Sequence, residues 1–176
     1  MKCNKIVLVF FLFIINHSFS QTGNDNKLKF HSIAMGFGGF NVKNAYSEDG
    51  GVSFTTDIVL AVNKNLISTS YITGSEVGLL GGSTFSFNDL SLSYGRALKV
   101  TNWFYLEGYL GLGRYTQERS RYLVNYGSTV SFPIKINTKF YFNKKFGMGL
   151  NTSYITNKIN NNLSVNLIFH YKFLKQ

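Results

Sequence analysis

Two histidines, His31 and His170, are the side chains best suited to metal or acid–base chemistry in the chain after residue 20. They lie near the start of the first predicted strand and the end of the last, so closure of a barrel would bring them together. A metal site needs a third ligand, and the nearest acid, Asp25, lies outside the predicted strands. Cys3 is the only cysteine and precedes the predicted cleavage site. We therefore expect no metal and no cofactor.

A second set of chemically capable residues is charged and shares the polar face of the predicted strands. Its members are Asp57, Asp89, Glu107, Lys135, Lys139 and Lys172. Three negative and three positive charges removed from water need partners. The set predicts an internal salt-bridge network in a lumen, with a proton or ion path as the alternative. A symmetric hairpin would place Glu107 opposite Lys135 or Asn137.

These residues are positioned by strands, because apolar and polar residues alternate along most of the chain. The alternation predicts eight antiparallel strands in an all-β, up-and-down transmembrane barrel with a side-chain-filled lumen. The predicted strands are 29–40, 51–62, 65–74, 86–97, 103–116, 128–142, 146–155 and 163–173. The second, fourth and sixth connections are short. The first (41–50), third (75–85), fifth (117–127) and seventh (156–162) are longer or polar.

The polar face of the strands indicates which side meets lipid. It carries mostly Ser, Asn, Thr and Gly, and charged residues are only 15% of the chain, against about 25% in typical soluble domains. A water-facing barrel surface would carry more Lys and Glu. We therefore place the apolar face against lipid, and the alternative is a soluble barrel with an apolar interior.

Three further groups of residues complete the predicted layout. Residues 1–20 have the charged, apolar, small-residue order of a signal peptide, which leaves one barrel domain over 21–176. Aromatic residues at the short-turn end predict an interfacial girdle: Trp103, Phe104, Phe140, Phe142, Phe146, Tyr171 and Phe173. Apolar residues in the predicted loops form a possible contact surface for a partner: Leu79, Leu80, Tyr122 and Leu123.

The same short-turn end carries most of the positive charge. Its basic residues are Lys27, Lys29, Lys64, Arg96, Lys99, Lys144, Lys145, Lys172 and Lys175. A ring of cations in an exported chain predicts contact with anionic lipid headgroups. Because the basic residues are scattered around a rim, we do not expect a nucleic-acid partner.

The sequence resembles the OmpA/OmpX-like family of small outer-membrane β-barrels. The likeness rests on the meander, on glycine–aromatic strands such as WFYLEGYLGLGRY, and on a last strand, NLIFHYKF, with alternating aromatic residues. Such a last strand is similar to the signal that the barrel-assembly machinery reads, although three residues follow Phe173 here. The family includes adhesins, structural proteins and a few lipid-modifying enzymes, so the fold does not give the function.

The resemblance implies a monomer in the Gram-negative outer membrane, with the loops extracellular and the termini periplasmic. Barrel enzymes that trim lipid A use a His with a Ser and an acid near the outer rim, where no histidine is predicted here. We therefore expect a non-enzymatic barrel with a closed lumen and a structural or surface-interaction role. The alternatives are a barrel enzyme acting on lipid or peptide, and a soluble periplasmic lipid-binding barrel.

Overall fold

Alternating side chains give the chain a single antiparallel sheet that closes on itself. The computed structural model describes residues 28–43, 48–76, 85–119 and 126–173. Its strands are β1 (Lys29–Lys43), β2 (Glu48–Val62), β3 (Asn65–Ser75), β4 (Phe85–Lys99), β5 (Phe104–Arg119), β6 (Tyr126–Tyr141), β7 (Phe146–Asn157) and β8 (Asn161–Lys172). Each strand pairs with the next, and β8 pairs with β1, which makes a closed eight-stranded barrel. The predicted fold class is therefore confirmed.

The two faces of the wall are also as predicted. Phe132, Ile134 and Ile136 of β6 are exposed on the outside, whereas Lys135 and Asn137, which flank Ile136, are buried. β8 repeats this arrangement, with Val165 outside and Asn166 inside. The apolar face therefore points outward and the polar face points into the lumen. A barrel of eight strands is only wide enough for side chains to fill its interior.

Turn residues explain the tight connections at one end of the barrel. Asn63 adopts a φ of 57° between β2 and β3, a left-handed conformation that asparagine tolerates better than most residues. Asn143 Oδ1 accepts hydrogen bonds from the backbone N–H groups of Lys145 and Phe146, each at 2.8 Å. Thr101 Oγ1 similarly accepts from the Phe104 N–H at 3.0 Å.

The connections at the other end are shorter than the sequence predicted. Residues 41–50 were expected to form a loop, but Asn41 pairs with Gly50 and Lys43 with Glu48, which leaves only residues 44–47 to connect β1 and β2. The seventh connection, expected over 156–162, is a turn of residues 158–160. Polar strand ends continue the backbone ladder because main-chain hydrogen bonds do not depend on alternating hydrophobicity.

Within the described residues, no helix has both the length and the apolar character needed to cross a membrane. The predicted signal peptide and the terminal residues 174–176 lie outside the described residues. The same holds for the proposed loop contact residues Leu79, Leu80, Tyr122 and Leu123, which therefore stay a prediction.

Candidate functional site

Lys135 makes the first of two buried ion pairs in the lumen. It projects from β6 and is 2% exposed. Its ammonium Nζ lies 2.6 Å from Asp57 Oδ1 on β2 and donates to Ser68 at 3.0 Å and to Ser70, both on β3. These contacts use all three donors of the ammonium group. β6 and β2 are four strands apart around the barrel, so this pair ties opposite walls together.

Glu107 of β5 is the centre of the second pair. Its Oε2 lies 2.7 Å from Lys139 Nζ and also accepts from the Tyr109 hydroxyl at 2.7 Å. Its Oε1 lies 3.5 Å from His31 Nε2. Lys139 Nζ donates in turn to Ser32 Oγ at 3.3 Å. Three side chains from three strands thus surround one buried carboxylate.

The symmetric-hairpin prediction for Glu107 gave its position correctly, and it named no ion-pair partner. Asn137 lies directly opposite Glu107, as one of the two alternatives stated, and Lys135 lies opposite Tyr109. The ion pair nevertheless forms with Lys139, the next inward residue toward the turn. A lysine side chain can span such a diagonal between neighbouring strands.

Asp89 and Lys172 lie at opposite ends of the charge set and form no ion pair with any described residue. Asp89 accepts a hydrogen bond from Ser131 toward the loop end. Lys172, toward the turn end, lies over the rings of Tyr105 and Tyr141, 4.7 and 5.4 Å from their centroids. The sequence counted Lys172 both in the lumen and on the basic rim, and its burial places it in the lumen.

His170 lies beside this turn-end cluster. Its ring packs edge-on against Tyr141 at 4.6 Å, while His31 lies against Glu107. Among the residues that the structure describes, no three histidine, cysteine or acidic side chains are grouped to hold a metal ion.

An aromatic plug fills the loop end of the lumen, and the sequence analysis missed it. The plug consists of Phe40, Val42, Ile72, Phe85, Phe87, Tyr115 and Ile155, all buried. The Phe87 ring lies 4.9 Å from Phe40 and stacks on Tyr115 at 5.6 Å. Phe85 and Phe87 have the same strand parity as inward-facing Asp89, which was the signal that could have placed them inside.

Asn160 of the β7–β8 turn closes over this plug. It is buried, and its Nδ2 donates to the Tyr115 hydroxyl at 3.2 Å and to Gln117 Oε1. We expect Asn160→Ala to destabilise the barrel by about 1–3 kcal/mol, because the buried Gln117 carbonyl loses its donor. Urea unfolding, followed by the fraction of protein in the unheated folded gel band, measures the loss of stability. Asn161→Ala, on the exposed neighbour, is the matched control, and an equal loss there would contradict the prediction.

The predicted girdle residues form two clusters on the outer wall at the turn end. Phe104 packs on Phe140 at 4.9 Å, and Trp103 stacks on Phe140 at 5.9 Å. In the second cluster Tyr171 contacts Phe146 at 4.8 Å and Phe173 at 4.9 Å. Phe142 is exposed.

Phe30 extends the second cluster and was missing from the predicted girdle. Its ring lies 6.3 Å from that of Phe173. This contact exists because β1 closes against β8, a pairing between the two ends of the strand order. The sequence around Phe30 alone therefore does not predict its contact with Phe173.

A closed sheet, an apolar outer wall and a charged, side-chain-filled interior together define a small β-barrel of the transmembrane type. Known structures with this fold include Neisserial surface protein A, with a TM-score of 0.68, 10% identity, and coverage of 84% of this chain and 99% of that one. Ail, the attachment invasion locus protein of Yersinia pestis, aligns with a TM-score of 0.59 at 18% identity, covering 82% and 99%.

Ail in complex with the heparin analogue sucrose octasulfate aligns equally well, with a TM-score of 0.60 at 17% identity and coverage of 82% and 99%. At these identities the likeness is one of fold. No protein-family model and no curated protein matches the sequence.

Proposed function

We propose that this protein is a non-enzymatic integral outer-membrane barrel with a structural or surface-interaction role. The observation that carries the proposal is the inversion of the wall: large apolar side chains cover the outside while four paired charged groups are buried within. In water such an apolar belt would be an extensive exposed patch, which soluble monomers avoid. In lipid it is the surface that a spanning barrel requires.

We propose that the lumen of this barrel is closed. The Lys135–Asp57 pair crosses it between opposite walls, the Glu107–Lys139 pair joins two neighbouring strands, and the aromatic plug fills the loop end. The buried ion pairs of the lumen then cross-link the wall. The packed side chains do not support the ion path that was the alternative from the sequence. The inward polar residues likewise argue against a soluble barrel with an apolar ligand cavity.

We propose an orientation from the two rims. We place the tight turns and both termini in the periplasm and the connections 44–47, 76–84 and 120–125 outside the cell. The girdle then lies at the periplasmic interface, among lipid headgroups. Surface contacts would be made by these outward connections, with Leu79, Leu80, Tyr122 and Leu123 as the proposed contact residues. Similarity in fold to a neisserial surface protein and to Ail supports a surface role.

The partners that this function implies are few. Outer-membrane lipids surround the wall, and the barrel-assembly machinery would read the aromatic last strand during insertion. A closed sheet has no free edge for pairing with another chain, which supports a monomer. Within the described residues, His31 and His170 are engaged at the turn end, away from the rim where a lipid-modifying site would need a histidine. We propose neither an enzymatic activity, nor a cofactor, nor a nucleic-acid partner.

A heated versus unheated gel of the outer-membrane fraction tests the proposal. We expect the protein in that fraction, with a change of apparent mass only after boiling, because a closed barrel resists detergent until heated. A protein found in the soluble periplasm, with no change of mobility on heating, would contradict it.

A further inference from the structure

A groove interrupts the apolar outer wall near the turn end of β4, β5 and β6. Its volume is about 410 Å³, within the range of about 300–1,000 Å³ typical of small-molecule sites. The groove exists because Gly108 occupies an outward position of β5, where a Cβ atom would meet nothing within 4 Å. Its walls and edge include Lys64, Arg96, Leu98, Leu106, Gly108 and Ile136.

The pairing register explains the shape of the groove. Gly108 lies opposite Arg96 on β4 and opposite Ile136 on β6. Leu98 and Leu106 face each other one step nearer the turn. A glycine thus forms the floor, between aliphatic walls that are continuous with the lipid-facing belt. In a bilayer such a space is filled by hydrocarbon.

Two cations stand at the edge of this apolar floor. Lys64 belongs to the tight β2–β3 turn, and Arg96 Nε donates to Asn65 Oδ1 at 3.1 Å, which holds the guanidinium beside that turn. The guanidinium keeps four other N–H donors. Neither cation forms an ion pair with a carboxylate of any described residue. Arginine binds phosphate through paired N–H donors, and lysine adds a point charge.

We propose that this groove binds one anionic phospholipid of the surrounding leaflet. One acyl chain lies on Gly108 between the leucines and Ile136, and the phosphate contacts Arg96 and Lys64. The inference rests on the proposed membrane location. A phospholipid fits because the groove joins an apolar floor to a cationic edge, which match the acyl chain and the phosphate of such a lipid.

Lipid retention in nanodiscs tests this site. The full mature chain is reconstituted in phosphatidylcholine containing a minor fraction of phosphatidylglycerol, released with mild detergent, and weighed intact by native mass spectrometry. We expect one phosphatidylglycerol to be retained in preference to phosphatidylcholine. Gly108→Leu fills the groove, and Lys64→Gln with Arg96→Gln removes its charge. Each should lower retention by about tenfold or more, the first because it removes the space for the acyl chain and the second because each rim cation contributes about 1 kcal/mol to headgroup binding.

The matched control removes two charges from the same rim outside the groove, as Lys29→Gln with Lys144→Gln, and should retain the lipid. Equal loss in the control would overturn the proposal, since rim charge alone would then explain binding. Undiminished retention by Gly108→Leu, or equal retention of both lipids, would also overturn it. The heat-dependent gel shift is checked first for every variant. A wild-type chain that never inserts refutes the proposed membrane function as well, whereas an inserted barrel without lipid preference refutes only the groove.

Discussion

Lys135→Met is expected to destabilise the barrel by about 3–5 kcal/mol, because it leaves a buried carboxylate without its ion-pair partner. Asp57 is buried, and Lys135 is its ion-pair partner at 2.6 Å. Methionine keeps much of the side-chain volume but leaves the carboxylate, Ser68 and Ser70 without their shared donor. Urea unfolding, followed by the fraction of protein in the unheated folded band, measures the loss.

A second substitution separates lost charge pairing from lost packing. Adding Asp57→Asn to Lys135→Met removes the unpaired buried charge. The double variant should regain most of the stability that Lys135→Met loses. Lys144→Met, on an exposed turn, should change stability by no more than about 0.5 kcal/mol. If the double variant is as unstable as Lys135→Met, the cost comes from packing and the ion pair is not its cause.

The same reasoning predicts a smaller loss of stability when the Glu107–Lys139 ion pair is broken. Lys139→Met leaves Glu107 with two contacts, from the Tyr109 hydroxyl at 2.7 Å and from His31 at 3.5 Å. The remaining donors partly compensate the carboxylate. The loss should therefore lie at or below the lower end of the range for Lys135→Met.

The wall of this barrel could be predicted from the sequence because it depends on local alternation. Whether Ile134 points outward and Lys135 inward follows from the two-residue period alone. Buried and exposed side chains alternate in the structure at every position from Ser131 to Ile136. Short turns were equally readable, since Asn63 and Asn143 mark them by type.

Contacts across the lumen could not be predicted, because they depend on three-dimensional closure. The sequence gives no distance between Asp57 on β2 and Lys135 on β6. Phe85 and Phe87 were missed for a related reason: a strand with aromatic residues on both faces does not say which aromatic side meets lipid. The choice is settled by the plug that they form with Phe40, which lies on β1.

Leu92→Arg and Leu98→Arg should differ in cost if the wall is immersed in lipid. The two leucines lie on β4, and they are 60% and 61% exposed. Leu92 lies near the middle of the strand, opposite Leu112, whereas Leu98 lies two residues from Arg96 at the turn end. Arginine costs about 2–4 kcal/mol at the bilayer midplane and about 0–1 kcal/mol near an interface, where the side chain reaches the headgroups.

Because Leu92 and Leu98 are equally exposed, comparing the two substitutions tells whether lipid or water surrounds the wall. On a soluble barrel both substitutions would replace an exposed leucine and change stability by about 0.5 kcal/mol or less. The measurement is urea unfolding in phospholipid vesicles, followed by the fraction of protein in the unheated folded gel band. A large loss for Leu92→Arg with little for Leu98→Arg is the expected result. Equal, small changes at both positions would mean that water, and not hydrocarbon, surrounds the apolar face.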